Sequence, residues 1–196
     1  ILKDGFTVAR NPLAIEFAGI PFQNPFLLSA SPATKDAACI IRAAKLGWGG
    51  AVTKTITREG TLDPRVRLGA LRRGGKLLGM INIELLSRAP LKTWTDDWIP
   101  AIKAHARKGF ILVASMMGDA APESWTHLAE TLSATGVDAI ELNLSCPHGA
   151  PEKRVGAYIG QDPDLTAAIT HAARRGTDLP ILAKLTPNVA DIVPIA

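Results

Sequence analysis

The chain has 196 residues, a formal net charge of +4 and a pI near 9.3, with 47% hydrophobic and 20% charged residues. That balance supports one sizeable core and excludes a disordered tail. The basic excess does not read as a nucleic-acid surface, because Arg72 and Arg73, Lys153 and Arg154, and Arg174 and Arg175 lie in dispersed pairs with no aromatic stripe between them.

Taken in chain order, Ile1 to Arg10 lacks the apolar stretch of a signal peptide. Leu13 to Phe22 alternates around Gly19 and Pro21 and predicts a small antiparallel hairpin able to plug one end of a barrel. Five apolar runs then predict strands: Phe26 to Ala30, Gly50 to Thr55, Phe110 to Ser115, Ala139 to Ser145 and Ile181 to Leu185. Between them, helical spacing covers Thr34 to Leu46, Leu91 to Lys108, Pro122 to Thr135 and Pro163 to Arg175. Glycines 47, 109, 136 and 176 close these helices, Pro122 and Pro163 open two of them, and Asp162 is the expected N-cap of the last. Arg58 to Lys76, with four glycines and scattered charge, reads as a long loop.

Strands alternating with helices predict a parallel sheet, and the near-continuous apolar strands suit one covered on both faces. The expected fold is a (β/α)8 barrel, for which about 250 residues are needed. The start at Ile1 and the stop at Ala196 inside an apolar stretch read as cuts, so residues 1–196 form one partial barrel domain of five strands. Cys39 and Cys146 make neither a disulfide framework nor a zinc site. With no run near the roughly 18 apolar residues of a membrane span, a reducing, cytoplasmic setting is the default.

The strands finish in polar groups: Ser29 and Ser31, Thr53-Lys54-Thr55, Ser115, Asn143 to Cys146, and Lys184 to Asn188. Ligands of parallel α/β folds lie at such carboxyl ends. Strand ends are polar wherever loops begin, which explains the serines and threonines, but less readily two lysines, an asparagine and a cysteine at matching places. Period two sends Ile140, Leu142 and Leu144 towards the helices and Glu141, Asn143 and Ser145 into the barrel. Lys54 and Lys184 are candidate partners for Glu141 or for a bound anion; a bland network of buried salt bridges explains them equally. By position alone Cys146 is either inert packing or a group that meets a substrate. His148 has no ligand-spaced companion for a metal, and Gly74-Gly75-Lys76 is not a phosphate-binding loop.

Asn143-Leu144-Ser145-Cys146-Pro147-His148-Gly149 resembles the active-site segment of dihydropyrimidine dehydrogenases. Asn24-Pro25-Phe26, Ser31 to Thr34, Gly47-Trp48-Gly49, Thr53-Lys54-Thr55, Asn82 to Leu85, Gly160 to Pro163 and Ala183 to Val189 match in the same order. Dihydroorotate dehydrogenases share much of the pattern but typically carry Asn where this chain has His148. The resemblance implies FMN passing a hydride to C6 of uracil or thymine while Cys146 delivers a proton to C5. It implies pyrimidine contacts from Asn82, Asn143 and Ser145, and flavin contacts from Ala30, Lys54, Thr55 and Lys184. Residues Gly149 to Gly160 become a mobile cover over the site. Iron–sulfur clusters, FAD and NAD(P)H are expected in a partner subunit or domain, and a homo-oligomer in the parent. This chain alone is expected to bind FMN poorly. A dihydroorotate-oxidising enzyme and a non-catalytic barrel piece used for assembly are the alternatives.

Overall fold

Two residues in the left-handed region, Ala18 (φ 51°) and Gly19 (φ 75°), turn the chain back between β1 (Ile15–Phe17) and β2 (Ile20–Phe22). Positive φ at both turn positions matches the twist of a tight hairpin. The two strands pair antiparallel, with Phe17 opposite Ile20. The structure is a computed structural model and describes residues 11–62, 68–147 and 154–196.

Beyond the hairpin the fold is an open parallel sheet in the order β3-β4-β7-β8-β9, with β3 and β9 at its edges. Its strands are β3 (Leu27–Leu28), β4 (Gly50–Val52), β7 (Ile111–Met116), β8 (Ala139–Leu144) and β9 (Ile181–Leu185). Each connection carries helix: α1 (Ala37–Lys45) after β3, α2 (Leu91–Thr93) and α3 (Ile99–His105) before β7, α4 (Pro122–Ser133) after β7, and α5 (Pro163–Arg175) after β8. Asp162 caps α5 by accepting from the Leu165 N–H, Pro163 occupies its first position and Gly176 follows its end, as the sequence predicts. No helix among the described residues is long and apolar enough to cross a membrane.

The expected helix from Leu91 to Lys108 is interrupted. Between α2 and α3, Trp94–Trp98 winds as a π-turn in which the Ile99 N–H bonds the Trp94 carbonyl. Pro100 has no N–H to continue the ladder and its ring crowds the preceding turn, so the wider turn accommodates it. The chain leaves the helix at Ala106.

Arg58 to Lys76 differs more from expectation. From Leu68 the chain forms β5 (Leu68–Arg73), which pairs antiparallel with β6 (Lys76–Asn82) around Gly74 (φ 56°) and Gly75 (φ 77°). Glycine pairs suit such turns, but here they sit among charges. Leu68, Leu71, Leu77, Leu78, Met80 and Ile81 are all exposed, so the arms carry no clean inside-outside alternation to announce a strand.

Two apolar layers hold the sheet. On the helix side, Leu112, Ala114, Met116, Ile140, Leu142 and Leu144 pack with Ile40, Ile102, Trp125, Leu128 and Ile169 from the helices. On the other face, Val52, Ile111, Val113 and Ala139 pack against Ile20 and Phe22 of the hairpin. The hairpin therefore closes the amino ends of the strands. Truncating Phe22, which is 5% exposed, leaves a cavity there: Phe22→Ala is expected to lower unfolding stability by about 3–5 kcal/mol. Denaturant unfolding checks this, and a change within error would mean the plug is not part of the core.

Candidate active site

Above that apolar plug the inner face becomes polar, and a register irregularity begins the change. Val52 lies opposite Val113, yet Ile56 lies opposite Met116. The β4 side thus carries one residue more than β7, as in a β-bulge. The Thr53 hydroxyl fills the gap by accepting the Ser115 N–H at 3.0 Å, and the Ile56 N–H then bonds the Ser115 carbonyl at 2.8 Å. This re-aims Lys54 and Thr55 at the strand exit. The Ser87 N–H returns to the Thr55 carbonyl at 2.8 Å, drawing the segment after β6 over the same exit.

Asn143 organises the exit of β8. Its Oδ1 accepts from the Ser145 N–H (3.1 Å), the Ser145 hydroxyl (3.0 Å) and the Cys146 N–H (3.1 Å). Two of these donors are backbone amides, which can bond only an oxygen, so the carboxamide orientation follows from chemistry. Nδ2 donates to Thr55 Oγ1 at 2.9 Å, and Thr55 Oγ1 is 2.9 Å from Ser115 Oγ. A continuous row of Ser115, Thr55 and Asn143, all buried, thus crosses three strands and ends at the Ser145–Cys146 turn. Among the described residues, one Nδ2 hydrogen and the lone pairs of the half-buried Ser145 hydroxyl have no partner and are left for a ligand.

Behind Cys146 lies a close buttress. The Ala157 N–H donates to the Cys146 carbonyl at 2.9 Å, and Gly156 (φ 55°) sits so near that a Cβ there would come within 2.4 Å of that oxygen. Gly160 approaches the Leu144 carbonyl as closely, so a side chain at either position would push the turn away. The described end of the expected mobile cover is therefore a 3-10 helix, Gly156–Gln161, with Gly156, Ala157, Ile159 and Gly160 buried. His148, Gly149 and the rest of that loop up to Lys153 lie outside the described residues.

The two lysines have separate acidic neighbours. Lys54 Nζ is 3.3 Å from Glu84 Oε2, with side-chain exposures of 12% and 8%. Glu84, not Glu141, is its partner. The pair borders a cavity of about 290 Å³ shared with Lys35, Asp36, Arg88 and Trp98. Lys184, opposite Asn143 in register, acts on Glu141. Ala30, just past β3, packs against the inner apolar layer. Asn82 ends β6 opposite Leu68 and is exposed, outside the Ser115–Thr55–Asn143 row.

Glu141 is 8% exposed and its Oε1 has no hydrogen-bond partner among the described residues. Burial pushes its carboxyl above the usual range, opposed by the Lys184 charge and by hydrogen bonding from Ser115. A carboxyl that binds its proton more tightly when folded stabilises the fold below the unfolded pKa, and that stability is lost as pH rises through the folded value. Glu141→Gln is therefore expected to be more stable than the wild type at neutral pH. The gap should narrow as pH falls towards the ordinary glutamate value of 4.5. Paired unfolding curves across that range check this, and a pH-independent gap would contradict it.

The same arrangement of strands and turn can be set beside known proteins. The family described as dihydroorotate dehydrogenase matches residues 12–196. The chloroplastic dihydropyrimidine dehydrogenase (NADP(+)) of Arabidopsis thaliana is 34% identical over 188 residues, covering 92% of this chain and 44% of that protein. The catalytic subunit of dihydroorotate dehydrogenase B (NAD(+)) from Thermococcus kodakarensis is 38% identical over 190 residues, covering 95% and 56%. The chain thus spans about half the length of these curated relatives. In fold, ligand-free dihydroorotate dehydrogenase from Eimeria tenella superposes with a TM-score of 0.66 at 18% identity, covering 91% of this chain and 55% of that one. With the match running from the plugging hairpin to the last residue, the chain belongs to the dihydroorotate dehydrogenase family.

Proposed function

We propose that this chain supplies the substrate half of an FMN-dependent pyrimidine reductase, which saturates the 5,6 double bond of uracil or thymine. The observation that carries the reading is the Asn143–Ser145–Cys146 turn, tied through Thr55 to Ser115 at the carboxyl edge of the sheet. The free Nδ2 hydrogen of Asn143 offers a donor and the Ser145 hydroxyl, whose proton goes to Asn143, offers an acceptor. Side by side they complement the alternating C=O and N–H edge of a pyrimidine. Asn82 adds an amide from the β6 side.

The donor set at this edge also fits a flavin. Hydroxyl and amide groups with a cation suit the polar rim of an isoalloxazine, whose reduced form is anionic. Thr55, Ala30, Lys54 and Lys184 would hold it. Glu84 already neutralises Lys54, so of these two lysines Lys184 is the one left for that rim. When bound, FMN supplies the hydride delivered to C6. Cys146 Sγ gives its proton to C5, so that two electrons and two hydrogens are added and the thiolate is reprotonated from solvent. Electrons come from an NAD(P)H-oxidising flavin and iron–sulfur subunit or domain. The name of a 34% identical Escherichia coli relative, NAD-dependent dihydropyrimidine dehydrogenase subunit PreA, supports that arrangement.

A dihydroorotate-oxidising reading draws on the Thermococcus relative. Orotate, however, brings a carboxylate that needs a cation of its own, whereas Lys54 already faces Glu84 and Lys184 is assigned to the flavin rim. The proton-donor role is tested by reducing the FMN-loaded protein that carries this chain and mixing it with uracil without oxygen. Cys146→Ala is expected to slow flavin reoxidation roughly 10²–10⁴-fold while FMN binding stays unchanged. A wild-type rate would overturn the assignment.

A further inference from the structure

Glu141 has no place in the reaction just described, yet among the described residues it is a buried acid of the sheet interior. It lies two residues before Asn143 on β8, a rise of about 6.6 Å, so it acts through neighbours. Ser115 stands opposite it on β7 and Leu182 opposite it on β9. Below it, Val113 and Ala139 belong to the apolar layer closed by the hairpin. The polar groups set beside it in the sheet are the Ser115 hydroxyl on β7 and, one pair further along, Lys184 on β9, whose charge opposes the effect of burial. Thr55, past the exit of β4, is linked to it through Ser115.

We infer that Glu141 is a positioning residue for the site, its charge orienting the Ser115–Thr55–Asn143 row and setting how much of the Lys184 charge reaches a bound flavin. The hydrogen-bond directions support this. Ser115 stands opposite Glu141 in register, and an ionised carboxylate only accepts, so the Ser115 proton turns towards it. That leaves the Ser115 oxygen to accept from Thr55, 2.9 Å away, whose own oxygen accepts from Asn143 Nδ2. Every proton in the row then points towards Glu141. When Glu141 is protonated its O–H can donate, Ser115 can turn towards Thr55, and the Thr55 proton is released towards the ligand side. The same proton cancels the negative charge facing Lys184. One titration thus changes both the donor pattern beneath the pyrimidine and the field at the flavin.

The inference rests on the proposed flavin site, and two measurements separate its failure from that of the site. The first is the midpoint potential of FMN in the loaded protein against pH, in the wild type and in Glu141→Gln. Removing the carboxylate leaves Lys184 uncompensated and favours anionic reduced flavin. Above the titration of Glu141 the variant is expected to show at least about tenfold stronger preference for reduced FMN, which is about 30 mV for a two-electron couple. The difference should vanish at lower pH. The second uses flavin-free protein and follows the Asn143 side-chain amide by nitrogen NMR. In the wild type its signals are expected to titrate with the Glu141 carboxyl, and in Glu141→Gln and in Ser115→Ala they should not.

A role limited to packing would move stability and neither readout. A potential difference independent of pH, or wild-type Asn143 signals that do not titrate, would overturn the inference. If the wild type takes up no FMN, the flavin reading fails by itself, and the amide titration alone decides for or against the relay.

Discussion

The site depends on how one buried carboxamide is satisfied. A polar group removed from water costs free energy unless it is paired, and Asn143 meets that demand with three donors on Oδ1 and one acceptor on Nδ2. Those bonds do two things at once. They fold the chain after β8 into a tight turn that presents Cys146, and they bind that turn to β4, 88 residues earlier in the chain. Replacing Asn143 with an apolar residue would leave two backbone N–H groups and the Thr55 hydroxyl with one partner fewer, so the cysteine and the bulged strand exit would loosen together.

The sheet interior is layered to make that carboxamide possible. Val52, Val113 and Ala139 form an apolar floor with Ile20 and Phe22 of the hairpin. One step up, Ser115 faces Glu141; two residues further, Asn143 faces Lys184. The polar content rises towards the carboxyl ends, where solvent and ligand are met. The extra residue in the β4 exit serves the same end, because it turns Lys54 towards Glu84 while Thr55 faces the row. Strand ends that merely begin loops would show none of these cross-strand bonds.

Much of this was legible in the sequence because its signals are local. Proline and glycine at helix ends, a capping aspartate and continuous apolar strands depend on neighbours a few residues away, and all five strands and the final helix follow them. The alternation on β8 correctly sent Ile140, Leu142 and Leu144 to the helices and Glu141 and Asn143 inward. What escaped depends on distant contacts. Glu84 reaches Lys54 only because a glycine-turned hairpin carries the chain out and back, and the hairpin's exposed apolar residues gave no burial pattern to follow. The π-turn arises from Pro100 acting on a helix whose periodicity otherwise looked unbroken. The bulge exists only between two strands, so no single segment announces it. Gly156 and Gly160 lie in the segment expected to be a mobile cover, whereas the structure uses them for close approach to the Cys146 turn.

The central claim is that this edge of the sheet recognises an uncharged pyrimidine and lets reduced flavin saturate it. The most direct measurement is anaerobic mixing of the reduced, FMN-loaded protein carrying this chain with uracil and, separately, with orotate, following flavin absorbance. Rapid reoxidation by uracil and none by orotate is the predicted result. Reoxidation by orotate alone, or by neither, would contradict it.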